Sequence, residues 1–318
     1  LISKQAGGIP VKLLWTREDD FEHDLIRSAG FMGFQGALDA QGRITGWRSH
    51  LVHFKSEGGT AVTASTWQPG EFPAFHVPAY QASQTLMPLK MPTGSWRAPG
   101  SNTAAWVVQS FLHEVSTAAK RDHLEVLLEV AGQFDPGAKV EASGRPTLTP
   151  ERARNVIRTV AERAGWGTRK LPAGRALGLA FHYSHAGHFA EVAEVSVDRT
   201  KKITVHKMWV VGDIGPIVDL SSAENQCQGC IVDAISTLAL EVTMENGEIQ
   251  QKNFDRYPMA RVRISPEVDV HFLDTDYPPT GVGEPSFPPA APAICNAVFT
   301  LTGHRIRTLP VTREGFSI

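Results

Sequence analysis

Three apolar, β-branched segments between residues 176 and 211 constrain the fold more than any other feature of the chain. They are Ala176–Tyr183, Ala190–Val197 and Ile203–Val211, and short turns separate them. Segments of this length that are rich in Val, Ile and Phe are typical of buried strands. Helical periodicity occurs on both sides of them, so the sequence predicts an α+β protein of mixed sheets and helices in two lobes.

Five other segments carry apolar side chains at the three- and four-residue spacing of amphipathic helices. Asn102 or Thr103 is the expected N-cap of the first, and Thr149 with Pro150 opens the third. The predicted helices cover residues 102–120, 124–131, 150–164, 223–241 and 290–302. Hairpins are predicted over residues 31–55 and around Asn246-Gly247, with further strands over residues 268–273 and at the end of the chain. An irregular segment with short strands is predicted over residues 56–100.

Length and charge limit the organisation and the partners of the chain. At roughly 150 residues per domain, 318 residues indicate about two domains. The polar, turn-rich stretch over residues 132–148 divides them into predicted lobes of residues 1–140 and 141–318. The net charge of −2 offers no basic excess for a phosphate backbone, so no nucleic acid is expected as a partner.

The first residues raise the question of what precedes them. The chain begins Leu1-Ile2-Ser3-Lys4 without Met, and Pro10-Val11-Lys12-Leu13-Leu14-Trp15 is predicted to be a buried strand. We therefore expect the chain to be a piece of something longer, with the remainder as a separate subunit, a cleaved product or a further region.

A short loop rich in Gly and Pro is the best candidate for chemistry. In Gly281-Val282-Gly283-Glu284-Pro285, two glycines permit close approach to a bulky ligand, and proline stiffens the far side. A carboxylate held on such a loop is well placed to act as a general base. The alternative is a surface glutamate in an ordinary turn.

The segment Gly94-Ser95-Trp96-Arg97-Ala98-Pro99-Gly100-Ser101-Asn102 is a second candidate. Backbone N–H groups at the start of a helix bind anions, and Arg97 could add a bidentate contact. The alternative is an ordinary loop with a structural arginine.

The cysteine and histidine motifs give weaker evidence for a functional site. Cys227 and Cys230 form a Cys-x-x-Cys pair in an apolar helical stretch, where free cysteine behaves as a small hydrophobe, and zinc would need two further ligands. The run of His182, His185 and His188 would scatter over both faces of a strand, so these are interpreted as loop and surface histidines. The common nucleotide and hydrolase fingerprints are absent from the sequence.

Taken together, the segments resemble the molybdenum-binding large subunit of the xanthine dehydrogenase / aldehyde oxidoreductase family. Within it, the chain resembles the isoquinoline 1-oxidoreductase beta subunit branch, which also includes bacterial membrane-linked aldehyde dehydrogenases. The matching stretches are residues 10–20, 94–100, 191–198, 281–285 and 303–310. The resemblance covers essentially the whole chain and implies the fold of the C-terminal part of such a subunit.

The resemblance also assigns roles to individual residues. Glu284 matches the glutamate that takes a proton from the hydroxyl ligand of molybdenum in this family. Arg27 looks like the arginine that orients the substrate, and Phe181 like an aromatic residue that stacks on it. Arg97, Gln226 and Gly283 are expected to contact the cofactor. No residue of this chain is expected to bind the metal directly.

The implied activity is oxidation of an aldehyde or hydroxylation of an N-heterocycle with oxygen from water. The implied cofactor is molybdopterin cytosine dinucleotide with molybdenum, and electrons would pass to 2Fe-2S clusters on a small partner subunit. The remaining N-terminal part of the large subunit and a cytochrome c subunit are further expected partners. The expected location is the periplasm, or the membrane reached from the periplasm, with the cytoplasm as the alternative. A non-catalytic scaffold or assembly subunit is the alternative function, and a hydrolase using Glu284 is a weaker one that no nucleophile motif supports.

Overall fold

The computed structural model describes residues 1–62, 67, 70–133 and 148–318. Its helices and strands alternate irregularly along the chain, as expected for an α+β protein. The helices are α1 (Ile2–Gln5), α2 (Arg17–His23), α3 (Ser101–Ala118), α4 (His123–Gly132), α5 (Pro150–Ala164), α6 (Leu220–Thr237) and α7 (Ala290–Thr302). The strands are β1 (Phe31–Leu38), β2 (Ile44–Lys55), β3 (Ala79–Pro88), β4 (Arg175–Ser184), β5 (Gly187–Val197), β6 (Ile203–Asp213), β7 (Met244–Glu245), β8 (Glu248–Ile249) and β9 (Glu267–Phe272).

A four-stranded sheet in the order β4-β5-β6-β9 forms the centre of the molecule. The first three strands pair antiparallel, and β9 runs parallel to β6. Every residue of β5 from Gly187 to Val195 is buried, because helices cover both faces of the sheet. The apolar segments seen in the sequence are therefore strands, as predicted, and helices cover both of their faces.

Alternate side chains of these strands enter two different hydrophobic clusters. Ala180 and Val210 face the cluster that contains α6 and α7. Leu179 and Val211 face the cluster that contains α3, α4, α5 and part of β2. The second cluster thus joins residues on both sides of the undescribed stretch 134–147. The predicted lobe boundary at residues 140 and 141 lies outside the described residues, so that division stays a prediction.

The sheet β1-β2-β3 lies beside this centre. β1 and β2 form the predicted hairpin, whereas β3 runs parallel to β2. β3 is a ten-residue strand within a stretch for which only short strands were expected. Its mostly exposed side chains lack the apolar alternation that would have indicated it.

Two sequence predictions about strands are wrong. Residues 10–15 form no strand and are exposed, because these apolar side chains meet no sheet within the described residues. The end of the chain contains a 3₁₀ helix, Val311–Glu314, and one isolated bridge between Lys202 and Ser317 in place of a strand. Among the described helices, none combines the length and the apolar character needed to cross a membrane.

Candidate functional site

The Gly-Glu-Pro loop rests on the turn that joins β4 to β5. A Cβ atom added at Gly187 would lie 3.5 Å from Cβ of Pro285 and 3.2 Å from the ring of Phe189. The hairpin and the loop are thus in van der Waals contact at this position. The Glu284 side chain is 39% exposed. A rigid hairpin therefore supports a carboxylate that stays accessible.

Arg97 connects this loop to helix α6. Its Nε donates to the carbonyl oxygen of Gly283 at 2.7 Å, and one Nη donates to Asp233 at 2.8 Å. The other Nη donates to the Gln226 side-chain oxygen at 3.0 Å. Planar guanidinium donors suit such a multiple contact. Three residues predicted to contact a cofactor, Arg97, Gln226 and Gly283, are thus brought together next to Glu284.

A cleft of about 310 Å³ opens beside His185. It lies between the N-terminus of α3, the segment before β3, and the turn between β4 and β5. Its walls combine apolar and titratable side chains, which is typical of small-molecule sites. The lining residues are Met32, His53, Trp67, Glu71, Pro99, Gly100, Ser101, Thr103, Ala104 and His185.

His185 links the cleft to the Gly-Glu-Pro loop. Its Nε2 lies 2.6 Å from Oε2 of Glu284, and its side chain is 38% exposed. The two side chains are thus within ion-pairing distance of each other. The sequence interpretation of His185 as a plain surface histidine missed this contact, since nothing in the sequence places it beside a residue 99 positions later.

Glu71 and His182 form a second polar group at the cleft wall. Oε1 of Glu71 lies 3.7 Å from Nε2 of His182. Burial raises the pKa of Glu71 to about 7 and lowers that of His182 to about 3. His182 is fully buried on β4, as is His188 on β5, so the prediction of surface positions is wrong for both. The apolar layers on either side of this sheet are the reason.

Arg27 lies behind the cleft wall. Its guanidinium donates to the side chains of Asn102 and Thr103 at the start of α3. Burial lowers its pKa to about 10. Gly100, not Asn102 or Thr103, is the N-cap of α3, because both of those side chains are engaged by arginine. A direct role of Arg27 on a substrate stays a prediction.

Phe181 does not line the cleft. It is fully buried in the cluster formed with α3, α4 and α5, and its ring packs edge-on against Phe72 at 5.7 Å. The alternation of β4 turns its side chain into this core. A stacking role on a substrate stays a prediction that this position does not support.

The two cysteines of α6 are buried and free. Burial raises the pKa of Cys227 to about 12 and of Cys230 to about 11. The thiol of Cys230 donates to the carbonyl of Gly283 at 3.6 Å. Within the described ranges, no group of three His, Cys, Asp or Glu side chains is placed to hold a metal ion. The interpretation as small apolar residues agrees with these surroundings.

Comparison with known proteins connects this geometry to one family. Residues 100–266 match the family model described as molybdopterin cofactor-binding domain. The chain is 32% identical to the membrane-bound aldehyde dehydrogenase [pyrroloquinoline-quinone] of Gluconacetobacter polyoxogenes, over 98% of this chain and 43% of that protein. It is 29% identical to isoquinoline 1-oxidoreductase subunit beta of Brevundimonas diminuta, over 96% of this chain and 39% of that protein.

Solved structures share the fold at low sequence identity. The aldehyde oxidoreductase of Desulfovibrio gigas superimposes with a TM-score of 0.76 at 14% identity, covering 97% of this chain and 51% of that one. Quinoline 2-oxidoreductase of Pseudomonas putida 86 gives 0.75 at 12% identity, covering 98% and 64%. The chain spans about two fifths of the length of the two curated relatives. The family match over more than half of its residues shows that the chain belongs to the molybdopterin cofactor-binding domains of the xanthine dehydrogenase family.

Proposed function

We propose that this chain forms one wall of the active site of a molybdenum hydroxylase and supplies Glu284 as its general base. The observation that carries the proposal is the position of Glu284 between two features. Its neighbour in the chain, Gly283, belongs to the network with Arg97 and Gln226, and its carboxylate contacts His185, which lines the cleft.

The residues of the network fit a large polar cofactor. A Cβ at Gly281 would meet nothing within 4 Å, and one at Gly283 would meet only Gln226 Oε1, at 3.8 Å. The loop therefore leaves open space along its backbone. Gln226 is exposed, and the hydroxyl of Thr280 is buried without a hydrogen-bond partner among the described residues. Arg97, Gln226 and the loop backbone would hold the cofactor, as backbone and amide groups hold pterins and phosphates by hydrogen bonds.

When bound, the cofactor would supply the oxidising centre and the transfer of oxygen derived from water. The proton transfer would be carried out by Glu284 of this chain. Oε2 of Glu284 is engaged by His185, which leaves Oε1 to accept a proton from a group that enters the cleft. General-base catalysis of this kind contributes about 10²–10⁴-fold to a rate.

The finer assignments extend the same proposal. The names of the relatives favour an aldehyde or an N-heterocyclic compound as substrate. We propose a heteromeric complex, because several relatives are named as subunits, with the rest of the large subunit and a 2Fe-2S subunit as partners. Molybdopterin cytosine dinucleotide is the proposed form of the cofactor, and a cytochrome c subunit is a further proposed partner.

The first test replaces the base. In the purified native complex, Glu284→Gln keeps the shape of the side chain and removes its ability to take a proton, so kcat should fall by about 10²-fold or more. Molybdenum content and melting temperature should stay at wild-type values. Glu267→Gln is the control, because this exposed glutamate pairs with Lys207 on β6 away from the cleft. Turnover of E284Q within threefold of wild type would remove Glu284 from the mechanism.

The second test identifies the cofactor directly. Elemental analysis for molybdenum and fluorescence of the oxidised pterin should both be positive in the native complex. One relative carries pyrroloquinoline quinone in its name, so the same sample is assayed for that quinone. Quinone without molybdenum would contradict the proposal, and neither cofactor would favour a scaffold or assembly subunit.

A further inference from the structure

We propose that His185 is a positioning residue that holds the Glu284 carboxylate in one orientation toward the cleft. The inference rests on the proposed role of Glu284 and names the residue on which that role depends. It begins from the 2.6 Å contact between Nε2 of His185 and Oε2 of Glu284.

The turn that carries His185 is conformationally defined. His185 and Ala186 both have positive φ, 53° and 64°, as the two central residues of a type I′ hairpin do. The strands on either side, β4 and β5, are largely buried and pair over ten residue pairs. A ring attached to such a turn has little freedom to swing away.

The same turn also packs against the loop that carries Glu284. Gly187 and Pro285 meet across this contact, where a Cβ at Gly187 would lie 3.5 Å from Pro285. Both residues of the ion pair are thus attached to segments that pack against each other. A carboxylate oriented in this way keeps a stable geometry toward a reacting group, and a displacement of about 1 Å can cost about 10²-fold in rate.

The orientation separates the two oxygens of Glu284. Oε2 contacts the imidazole of His185, whereas among the described residues no hydrogen bond to Oε1 is present. His185 also lines the cleft with Glu71 and Pro99. The contact therefore ties the carboxylate of Glu284 to a residue of the cleft wall, and loss of the imidazole would let the carboxylate rotate.

The decisive comparison uses His185→Leu and His185→Gln in the full native complex. Leucine and glutamine are similar in size and both must adopt the positive φ of this turn, so they differ mainly in the donor group. We expect kcat to fall about 10- to 100-fold in H185L, with little change in KM, and to recover most of that loss in H185Q. Equal loss in both variants, or wild-type kcat in H185L, would overturn the inference.

A matched histidine provides the control. His304 lies 2.6 Å from Glu314, with 44% of its side chain exposed, near the end of the chain. It therefore provides a His–Glu pair at the same distance, away from the cleft. His304→Leu should leave kcat unchanged, and a loss equal to that of H185L would show that the H185L loss is not specific to the cleft.

A labelling experiment on the complex without its cofactor tests the contact without measuring enzyme turnover. In the complex produced without molybdate, a carbodiimide and an amine label accessible carboxyl groups, and peptide mass spectrometry measures the rate at Glu284. Release of Oε2 should raise that rate about 2- to 5-fold in H185L, the range that one exposed ion pair provides. An unchanged labelling rate at Glu284 in H185L would show that His185 does not restrain the carboxylate. A raised rate here, together with a native complex that contains no molybdenum when it is grown with molybdate, would keep the contact while refuting the proposed function.

Discussion

Glu71 is an acid at the cleft wall whose charge changes near neutral pH. Its side chain is 17% exposed and faces His182, and burial raises its pKa from 4.5 to about 7. A group with a raised pKa in the folded state contributes stability that is complete below pH 4.5 and disappears as the pH rises through 7. In this window the folded protein holds a proton that the unfolded chain releases.

Replacing Glu71 by Gln should remove this pH dependence. Glutamine keeps the shape of a protonated carboxyl and never ionises, so E71Q should gain stability over wild type at pH 8 relative to pH 5. The gain is at most about 3 kcal/mol, from 1.36 kcal/mol per pKa unit. Urea denaturation of both proteins at the two pH values measures it. An equal difference in unfolding free energy at pH 5 and pH 8 would show that Glu71 is ionised in the folded state.

Residues in sequence motifs were easier to predict than residues brought together by the fold. Glu284, Arg97 and Gln226 lie in recognisable segments and meet in the structure. His185 and Glu71 reach the same site from a turn and an irregular segment. Their positions depend on strand register and loop packing. A single sequence, read alone, contains no signal for such contacts.

At the scale of elements, the contact of β4 with α7 is unusually close. A Cβ at Gly178 would lie 2.1 Å from the carbonyl oxygen of Ala293 and 2.4 Å from the amide nitrogen of Ala297. Glycine on the strand and alanines on the helix let the two backbones meet. This contact fixes α7, which directly follows the loop of Glu284.

Gly178→Ala should therefore force β4 and α7 apart. The atoms in the way belong to the helix backbone, so no side chain can move aside, and overpacking of this kind costs about 1–3 kcal/mol or more. The melting temperature measures the effect, with Gly33→Ala on β1 as the control, since a Cβ there meets nothing within 4 Å. Equal melting temperatures of G178A and G33A would mean that the helix can shift without cost.

Elements with clear boundary signals were predicted accurately. Helix α7 begins after Pro289 and ends at Gly303 in the left-handed conformation, the arrangement that stops a helix most sharply. Residues 10–15 were misread as a strand because apolar composition alone does not show whether a pairing partner exists. The length of β3 is the converse case. Only short strands were expected there, but backbone pairing with β2 forms a ten-residue strand despite mostly exposed side chains.

On the scale of the whole molecule, a buried ion pair connects the sheet, the helical layer and the segment that leads to the site. Arg152 on α5 donates from Nε and Nη2 to both carboxylate oxygens of Asp213, each at 2.8 Å. The hydroxyl of Thr275 donates to the same carboxylate at 2.7 Å, and Tyr277 packs against the guanidinium at 4.2 Å. Burial opposes ionisation of Asp213, but the donors outweigh it and hold its pKa below the usual value.

Removing one partner of this pair should destabilise the whole protein. Arg152→Leu would leave the Asp213 carboxylate, which is 1% exposed, without its countercharge, at a cost of about 3–5 kcal/mol. Arg43→Ala is the matched control, because the Arg43 side chain is 60% exposed in its pair with Asp39 and such pairs contribute about 0–1 kcal/mol. Urea denaturation of the complete protein compares the two.

A double variant separates lost charge balance from lost packing. Adding Asp213→Asn to Arg152→Leu removes the unpaired charge, so a large part of the lost stability should return. The Gly-Glu-Pro loop follows the segment anchored at Thr275 and Tyr277, so carbodiimide labelling of Glu284 should rise in the single variant and fall back in the double one. Equal losses of stability in R152L and R43A would mean that the contacts around Asp213 hold this segment without the arginine.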